Sequence, residues 1–118
     1  MSTREIERSQ WNTVMAELSD RCLNRPVTVE VIGADTGDQL LVNHGPFLGI
    51  APELKGSEAC SVDIEVGRVG STDSFMHEVS CATKVLVKED DNGRPLAVDL
   101  EGEDPSTHAR LKVIMTWD

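Results

Sequence analysis

The sequence predicts an α+β fold: one N-terminal helix packs on a curled antiparallel sheet of six to seven strands, or on a small barrel with an SH3-like or Sm-like core and a C-terminal hairpin. Apolar residues recur at helical spacing over residues 9–23. Between about residue 27 and residue 117, apolar and polar residues alternate with a period of two, which indicates half-buried antiparallel strands. The turns that join these strands are too short for parallel crossovers.

The helix is predicted over residues 9–23, with Ser9 as the expected N-cap. Its apolar residues form one stripe: Trp11, Val14, Met15, Leu18 and Cys22. Pro26 marks the end, because proline cannot continue a helix. The opposite face carries no basic cluster, so we expect the stripe to pack on the sheet rather than on a membrane or a partner.

Seven strands are predicted after the helix, at residues 27–32, 39–51, 59–66, 75–80, 84–88, 96–101 and 108–117. The second strand should be broken or sharply bent at Gly45-Pro46, because proline cannot donate to a ladder. Turns are predicted at residues 33–38 and 55–57, and Asn92-Gly93 is typical of a tight hairpin turn. One helix of about 15 residues cannot cover seven flat strands, so the sheet must curl over itself.

Length and composition indicate one globular domain spanning residues 1–118, with 39% hydrophobic and 27% charged residues. The formal net charge of -10 disfavours non-specific binding to nucleic acid, which depends mainly on Lys and Arg. No apolar run approaches the length that spans a bilayer, and residues 1–10 do not resemble a signal peptide. We therefore expect a cytoplasmic protein without a cofactor. Its expected partner is another protein or a second copy of the chain, not nucleic acid or a membrane.

Three cysteines are an odd number and form no CxxC motif, which favours a reducing compartment. Cys60 and Cys81 lie within apolar alternation and are expected to be small buried thiols.

No catalytic constellation is recognisable, but two histidines are candidates for a pocket. His77 is in phase with Phe75 and Val79, so it should face the apolar side, either as a core residue or as a base or ligand. His44 stands at the predicted strand break, either in a solvated turn or beside a site. His108 is expected at the surface, and no two histidines have the close spacing of a local metal motif.

Short motifs along nearly the whole chain carry a resemblance: Arg4-Glu5-Ile6, Trp11, the strand 27–31, Leu48-Gly49-Ile50, the strand 62–67, His77-Glu78-Val79, residues 96–101 and the terminal strand. In these motifs the chain resembles a family of short, mostly bacterial proteins of unknown function. The resemblance implies a small domain with the predicted fold, and it implies no activity, cofactor or site residue.

A looser likeness is to the Sm-like barrel, including the bacterial host-factor RNA chaperone, in which a helix precedes five bent strands. Residues 76–80 look like the chaperone's Lys-His-aliphatic segment near its RNA pore. Met76 replaces the lysine that would meet phosphate, however, and the C-terminal hairpin should cover the strand edge that Sm-like rings use for assembly.

The sequence thus predicts a non-enzymatic cytoplasmic binding or protein-interaction module. One alternative is an Sm-like nucleic-acid-binding protein, which requires a basic groove. The other is a small enzyme or ligand binder, which requires a pocket near His44 and His77.

Overall fold

The computed structural model describes residues 2–33, 37–53, 60–68, 70, 72–104 and 106–118. Within this part of the chain one α-helix, α1 (Trp11–Arg21), follows a 3-10 turn at Arg8–Gln10. The same residues form eight strands: β1 (Ser2–Glu5), β2 (Pro26–Gly33), β3 (Gly37–Pro52), β4 (Val62–Gly67), β5 (Ser74–Val79), β6 (Lys84–Glu89), β7 (Pro95–Glu103) and β8 (Arg110–Trp117). The predicted turn at 55–57 lies outside the described residues, as do the centre of the turn at 33–38 and residue 59 of the predicted third strand.

The eight described strands form one antiparallel sheet in the order β1-β6-β7-β8-β2-β3-β4-β5. Two meanders, β2 to β5 and β6 to β8, are joined where β8 pairs with β2, with Trp117 opposite Val27 and Leu111 opposite Gly33. The predicted C-terminal hairpin is confirmed, since β8 pairs with β7 and β7 pairs with β6. Because β1 and β5 remain at opposite edges, the sheet is not closed. The predicted small barrel with an SH3-like or Sm-like core is therefore wrong.

The described strands number eight rather than the six to seven predicted, and the additional strand is β1. It pairs with β6, with Ser2 opposite Glu89, and the Arg4 Nε donates to the Glu89 Oε1 at 2.7 Å. All four β1 residues are exposed. The segment therefore lacks the apolar alternation by which a half-buried strand is recognised.

The long strand β3 changes partner along its length. Its first part pairs with β2 as far as Pro46, and its second part pairs with β4 from Phe47 onward. Gly45 lies at this change of partner. A Cβ on Gly45 would stand 2.8 Å from the Gly67 carbonyl oxygen and 2.8 Å from the Val42 Cγ1, so only glycine allows this approach.

The helix α1 lies against the second part of β3, which confirms that its apolar stripe packs on the sheet. Trp11, Val14, Met15 and Leu18 are buried. The Ser19 hydroxyl donates to the Ile50 carbonyl oxygen and accepts from the Ile50 amide, both at 2.9 Å. The predicted N-cap is wrong: Ser9 lies in the 3-10 turn, and the helix begins at Trp11 after Gln10.

The curled sheet has two different ends. At the helix end, where β2 begins and β8 finishes, Phe47 packs edge-on against Trp117 with ring centroids 5.2 Å apart. At the open end, where β2 finishes and β8 begins, the corner between β5 and β6 meets β7. There the Thr83 amide donates to the Glu101 carbonyl oxygen at 2.7 Å, and the Glu103 amide donates to the Ser80 carbonyl oxygen at 3.3 Å.

Candidate functional site

A cleft of about 470 Å³ occupies the open end of the sheet. We call it the His77 cleft. Its walls come from the final residues of β2, the start of β3, the end of β5 and the β7–β8 hairpin. The residues around it are Val31, Gly33, Gln39, Leu41, His77, Glu78, Ser80, Glu103, Asp104, Thr107, Ala109, Arg110 and Leu111.

The floor of the His77 cleft is apolar and continuous with the core. Val31, Leu41 and Leu111 are partly buried and pack against the main hydrophobic cluster. Val31 continues the inward-facing series of β2, and Leu111 begins that of β8 opposite Gly33. Gly33 itself contributes only backbone atoms to this corner of the lining.

Leu41 reaches the floor because the pairing of β2 with β3 is irregular there. Val29 is opposite Val42, but the next residue, Glu30, is opposite Leu40, so Leu41 is the extra residue of a bulge. Leu40 faces outward and is 58% exposed, whereas its neighbour Leu41 is half-buried in the cleft. The bulge thus redirects one leucine of the pair into the site.

His77 is half-buried in the wall that β5 contributes, and its ring stacks on Phe75 with centroids 6.3 Å apart and planes at 8°. Burial lowers the pKa of His77 below its usual value of 6.5, because the charged ring is poorly solvated there. The imidazole is therefore neutral at pH 7 and offers one hydrogen-bond donor and one acceptor.

The rim of the cleft carries more negative than positive charge. In the part of the chain that the structure describes, Glu78, Glu103 and Asp104 lie around it together with the cation of Arg110. Asp104 Oδ1 accepts from the amides of Ser106 at 2.8 Å and Thr107 at 3.1 Å, which fixes the hairpin at the rim.

A broader depression of about 640 Å³ adjoins the cleft at the β7–β8 hairpin and shares Gly33, Glu103, Arg110 and Leu111 with it. The rest of its lining includes Lys84, Glu101 and Lys112, which belong to the outward-facing series of their strands. We favour the His77 cleft as the site because Val31, Leu41 and Leu111 all line it and pack against the core, whereas the depression has only Leu111 of these three.

The structure places His44 away from the His77 cleft. His44 lies beside Val27 and Thr28 at the helix end: its amide donates to the Thr28 hydroxyl at 3.4 Å, and its Nδ1 pairs with the Asp118 carboxylate. From Val27 to Gly33 at the cleft is about 20 Å along β2. The two candidate histidines are thus not brought together. His108 is exposed, with its Nδ1 3.6 Å from the Glu103 Oε2.

The prediction of buried thiols at Cys60 and Cys81 is wrong for Cys81, which is exposed in the turn after β5, and Cys60 is only half-buried. Cys81 adopts a positive φ of 46°, so it has left the alternating geometry that the sequence indicates. Cys22, which directly follows α1, is fully buried, and burial raises the pKa of its thiol.

Among the described residues, no group of three or more His, Cys, Asp or Glu side chains is arranged to hold a metal ion. A helix long and apolar enough to cross a bilayer is also absent from the part of the chain that the structure describes.

His77, a pocket candidate from the sequence, lines the cleft, whereas the other residues of the cleft were not predicted as site residues. Val31 and Leu111 appear in the sequence as ordinary inward residues of two strands, and nothing local shows that they end at an open edge. The pairing of β8 with β2 places them together. The sequence feature that could have indicated an open edge here is Gly33, a turn glycine at the end of an alternating strand.

Comparison with known proteins identifies the family. The model of a family of unknown function, DUF5335, matches residues 2–111. The chain belongs to this family. The resemblance predicted from the sequence motifs is thereby confirmed. No curated protein matches the chain.

Among solved structures, the chain is similar to the crystal structure of the Bacillus subtilis YojF protein, with a TM-score of 0.53 and 11% identity. The match covers 100% of this chain and 96% of that chain. At this identity the likeness shows a shared fold, and the DUF5335 chain takes no function from it.

Proposed function

We propose that this DUF5335 protein is a non-enzymatic cytoplasmic binding module, and that its ligand is a small organic cation with an apolar body held in the His77 cleft. The observation that carries the proposal is the composition of this one cavity. An apolar floor continuous with the core lies beneath polar groups from β3, β5 and the β7–β8 hairpin. Its volume falls within the roughly 300–1,000 Å³ typical of ligand pockets.

The charge around the cleft supports a cationic ligand. Among the described residues, the rim carries three carboxylates, from Glu78, Glu103 and Asp104, against one guanidinium, that of Arg110. The whole chain has a formal net charge of -10, which adds to the negative potential at the site. Neutral His77 can donate or accept a hydrogen bond without opposing a bound amine.

The arrangement of polar groups supports binding rather than catalysis. Ser80 is the hydroxyl in the cleft nearest to His77 along the chain, and its Oγ donates to the Glu78 Oε1 at 3.5 Å. A serine nucleophile would instead need its hydroxyl directed at the imidazole. The odd number of cysteines supports the cytoplasmic assignment.

Two probes that share an aromatic ring and a short chain but differ in charge test the proposal. Phenethylamine carries an ammonium group, and hydrocinnamate carries a carboxylate. We expect phenethylamine to shift the amide NMR signals of Gly33, His77 and Ala109 at low millimolar concentration, and hydrocinnamate to bind more weakly.

Adjacent leucines supply the matched variants. Leu41→Trp fills the cleft and should abolish the shifts, whereas Leu40→Trp places the same ring outside the cleft and should leave them intact. Absence of cleft shifts with both probes would contradict the proposal. Tighter binding of hydrocinnamate would reject the cationic ligand.

Protein interaction is the second candidate, and the exposed edge of β5 favours it. Among the described strands β5 pairs with β4 alone, and Met76 on β5 is 62% exposed. A partner strand could add to this edge. Concentration-dependent shifts confined to β5 in the absence of a probe would favour this candidate over the cleft.

A further inference from the structure

Two thiols meet at the corner that joins β4, β5 and β6. The Sγ atoms of Cys60 and Cys81 are 3.2 Å apart. The Ala82 amide donates to the Cys60 carbonyl oxygen at 2.8 Å, which holds the two backbone segments together.

The pair lies just beyond the β4–β5 ladder. The ladder ends with Val62 opposite Val79. Beyond it Cys81 lies in the turn after β5 with a positive φ of 46°, and the next residue, Ala82, bonds to the Cys60 carbonyl oxygen. This turn, rather than a continued strand, brings the two sulfur atoms together.

The two cysteines also differ in accessibility in a way that suits thiol exchange. Cys81 is exposed and can be reached by a small molecule in solution, while Cys60 is half-buried directly beside it. Cys22, the third cysteine, has 0% exposure and serves as an internal reference.

We propose that Cys60 and Cys81 form a reversible dithiol–disulfide site that reacts with small-molecule disulfides. The Cys81 thiolate attacks one sulfur of the small disulfide, forms a mixed disulfide and releases one thiol. The Cys60 thiolate then attacks the Cys81 sulfur and releases the second thiol. Two cysteine thiols lose two hydrogens, and the small disulfide is reduced to two thiols, so the exchange is balanced.

This site is independent of the ligand proposed above, but it borders the His77 cleft. Ser80 precedes Cys81 and belongs to the cleft wall, and its carbonyl oxygen accepts from the Glu103 amide. A Cys60–Cys81 bridge would tie the start of β4 to the corner beside this wall. In a reducing compartment such a bridge would be transient.

The test uses the whole reduced chain equilibrated with oxidised glutathione, then quenched with acid, denatured and alkylated with N-ethylmaleimide. Intact mass spectrometry should show adducts falling from three to one, on a chain lighter by two hydrogens, with reversal by dithiothreitol. Peptide mapping should place the remaining adduct on Cys22.

Cys60→Ser is the matched variant. It keeps the accessible thiol but removes the resolving thiol, so it should accumulate one glutathione on Cys81 without forming an internal bridge. The proposal is overturned if the wild-type chain keeps three alkylatable thiols, retains bound glutathione, or forms only a bridge between chains on a non-reducing gel.

Discussion

The helix end and the open end of the sheet are built from the same alternating strands, but only the helix end is covered. At the helix end Phe47 is fully buried and Trp117 is 4% exposed. At the open end Val31, Leu41 and Leu111 are only partly buried. The apolar residues are thus fully packed at one end of the sheet and only partly packed at the other.

The short helix explains why one end stays open. The helix α1 has 11 residues and is therefore about 16 Å long. The molecule measures 35 × 31 × 27 Å, so a helix of this length cannot cover both ends of the sheet. The charged β7–β8 hairpin borders the uncovered end instead. We infer that stability resides mainly at the helix end, which would leave the open end to the ligand proposed above.

Truncating one apolar side chain at each end of the sheet should separate these roles. We expect the larger loss in the free energy of unfolding at the helix end. Phe47→Ala removes a buried ring and its edge-on contact with Trp117, so the free energy of unfolding should fall by about 3–5 kcal/mol. Leu111→Ala at the open end should lower it by only about 1 kcal/mol, because that side chain is half-exposed. Urea denaturation followed by circular dichroism measures both, and equal losses would contradict the inferred division.

The next largest effect on stability is expected where Gly102 closely approaches the corner between β5 and β6. A Cβ on Gly102 would stand 2.7 Å from the Ser80 carbonyl oxygen and 3.2 Å from the Val79 Cγ1. Gly102→Ala must therefore displace the β5–β6 corner, and we expect a loss of about 1–3 kcal/mol in thermal or urea unfolding.

Gly49→Ala is the control for this substitution. Its Cβ would meet only the Ser19 Oγ, at an ordinary 3.7 Å, so stability should change by less than about 0.5 kcal/mol. If Gly102→Ala is tolerated as well as Gly49→Ala, the corner does not depend on this close approach.

Whether the sequence could predict an element depends on whether that element has a buried face. Local alternation and helical spacing predict α1 and every strand that has one buried face, including the long strand β3. They do not predict β1, whose four residues are all exposed. They also do not predict that β8 lies beside β2, because pairing between distant segments leaves no local pattern.

The site was harder to predict than the fold for the same reason. His77 was found because it keeps the phase of β5, but Leu41 enters the cleft through a bulge that no alternation shows. His44 was a reasonable candidate at a strand break. The structure nevertheless places it beside Thr28, at the helix end, where it pairs with Asp118.

The smallest expected effect concerns the protonation of His77 and tests whether the open end is desolvated. Burial lowers the pKa of His77 in the folded protein below its usual value of 6.5. The unfolded chain therefore binds a proton first as the pH falls. The stability linked to neutral His77 is fully present above pH 6.5 and is lost as the pH falls through the folded-state pKa.

His77→Gln removes this titration and should flatten part of the decrease in urea midpoint between about pH 8 and about pH 5. His108→Gln is the matched control, since the His108 side chain is 79% exposed and its contact with Glu103 is a surface pair of little energy. It should retain the wild-type slope. If His77→Gln also keeps that slope, His77 is solvated in the folded protein, and the His77 cleft is wetter than its apolar floor suggests.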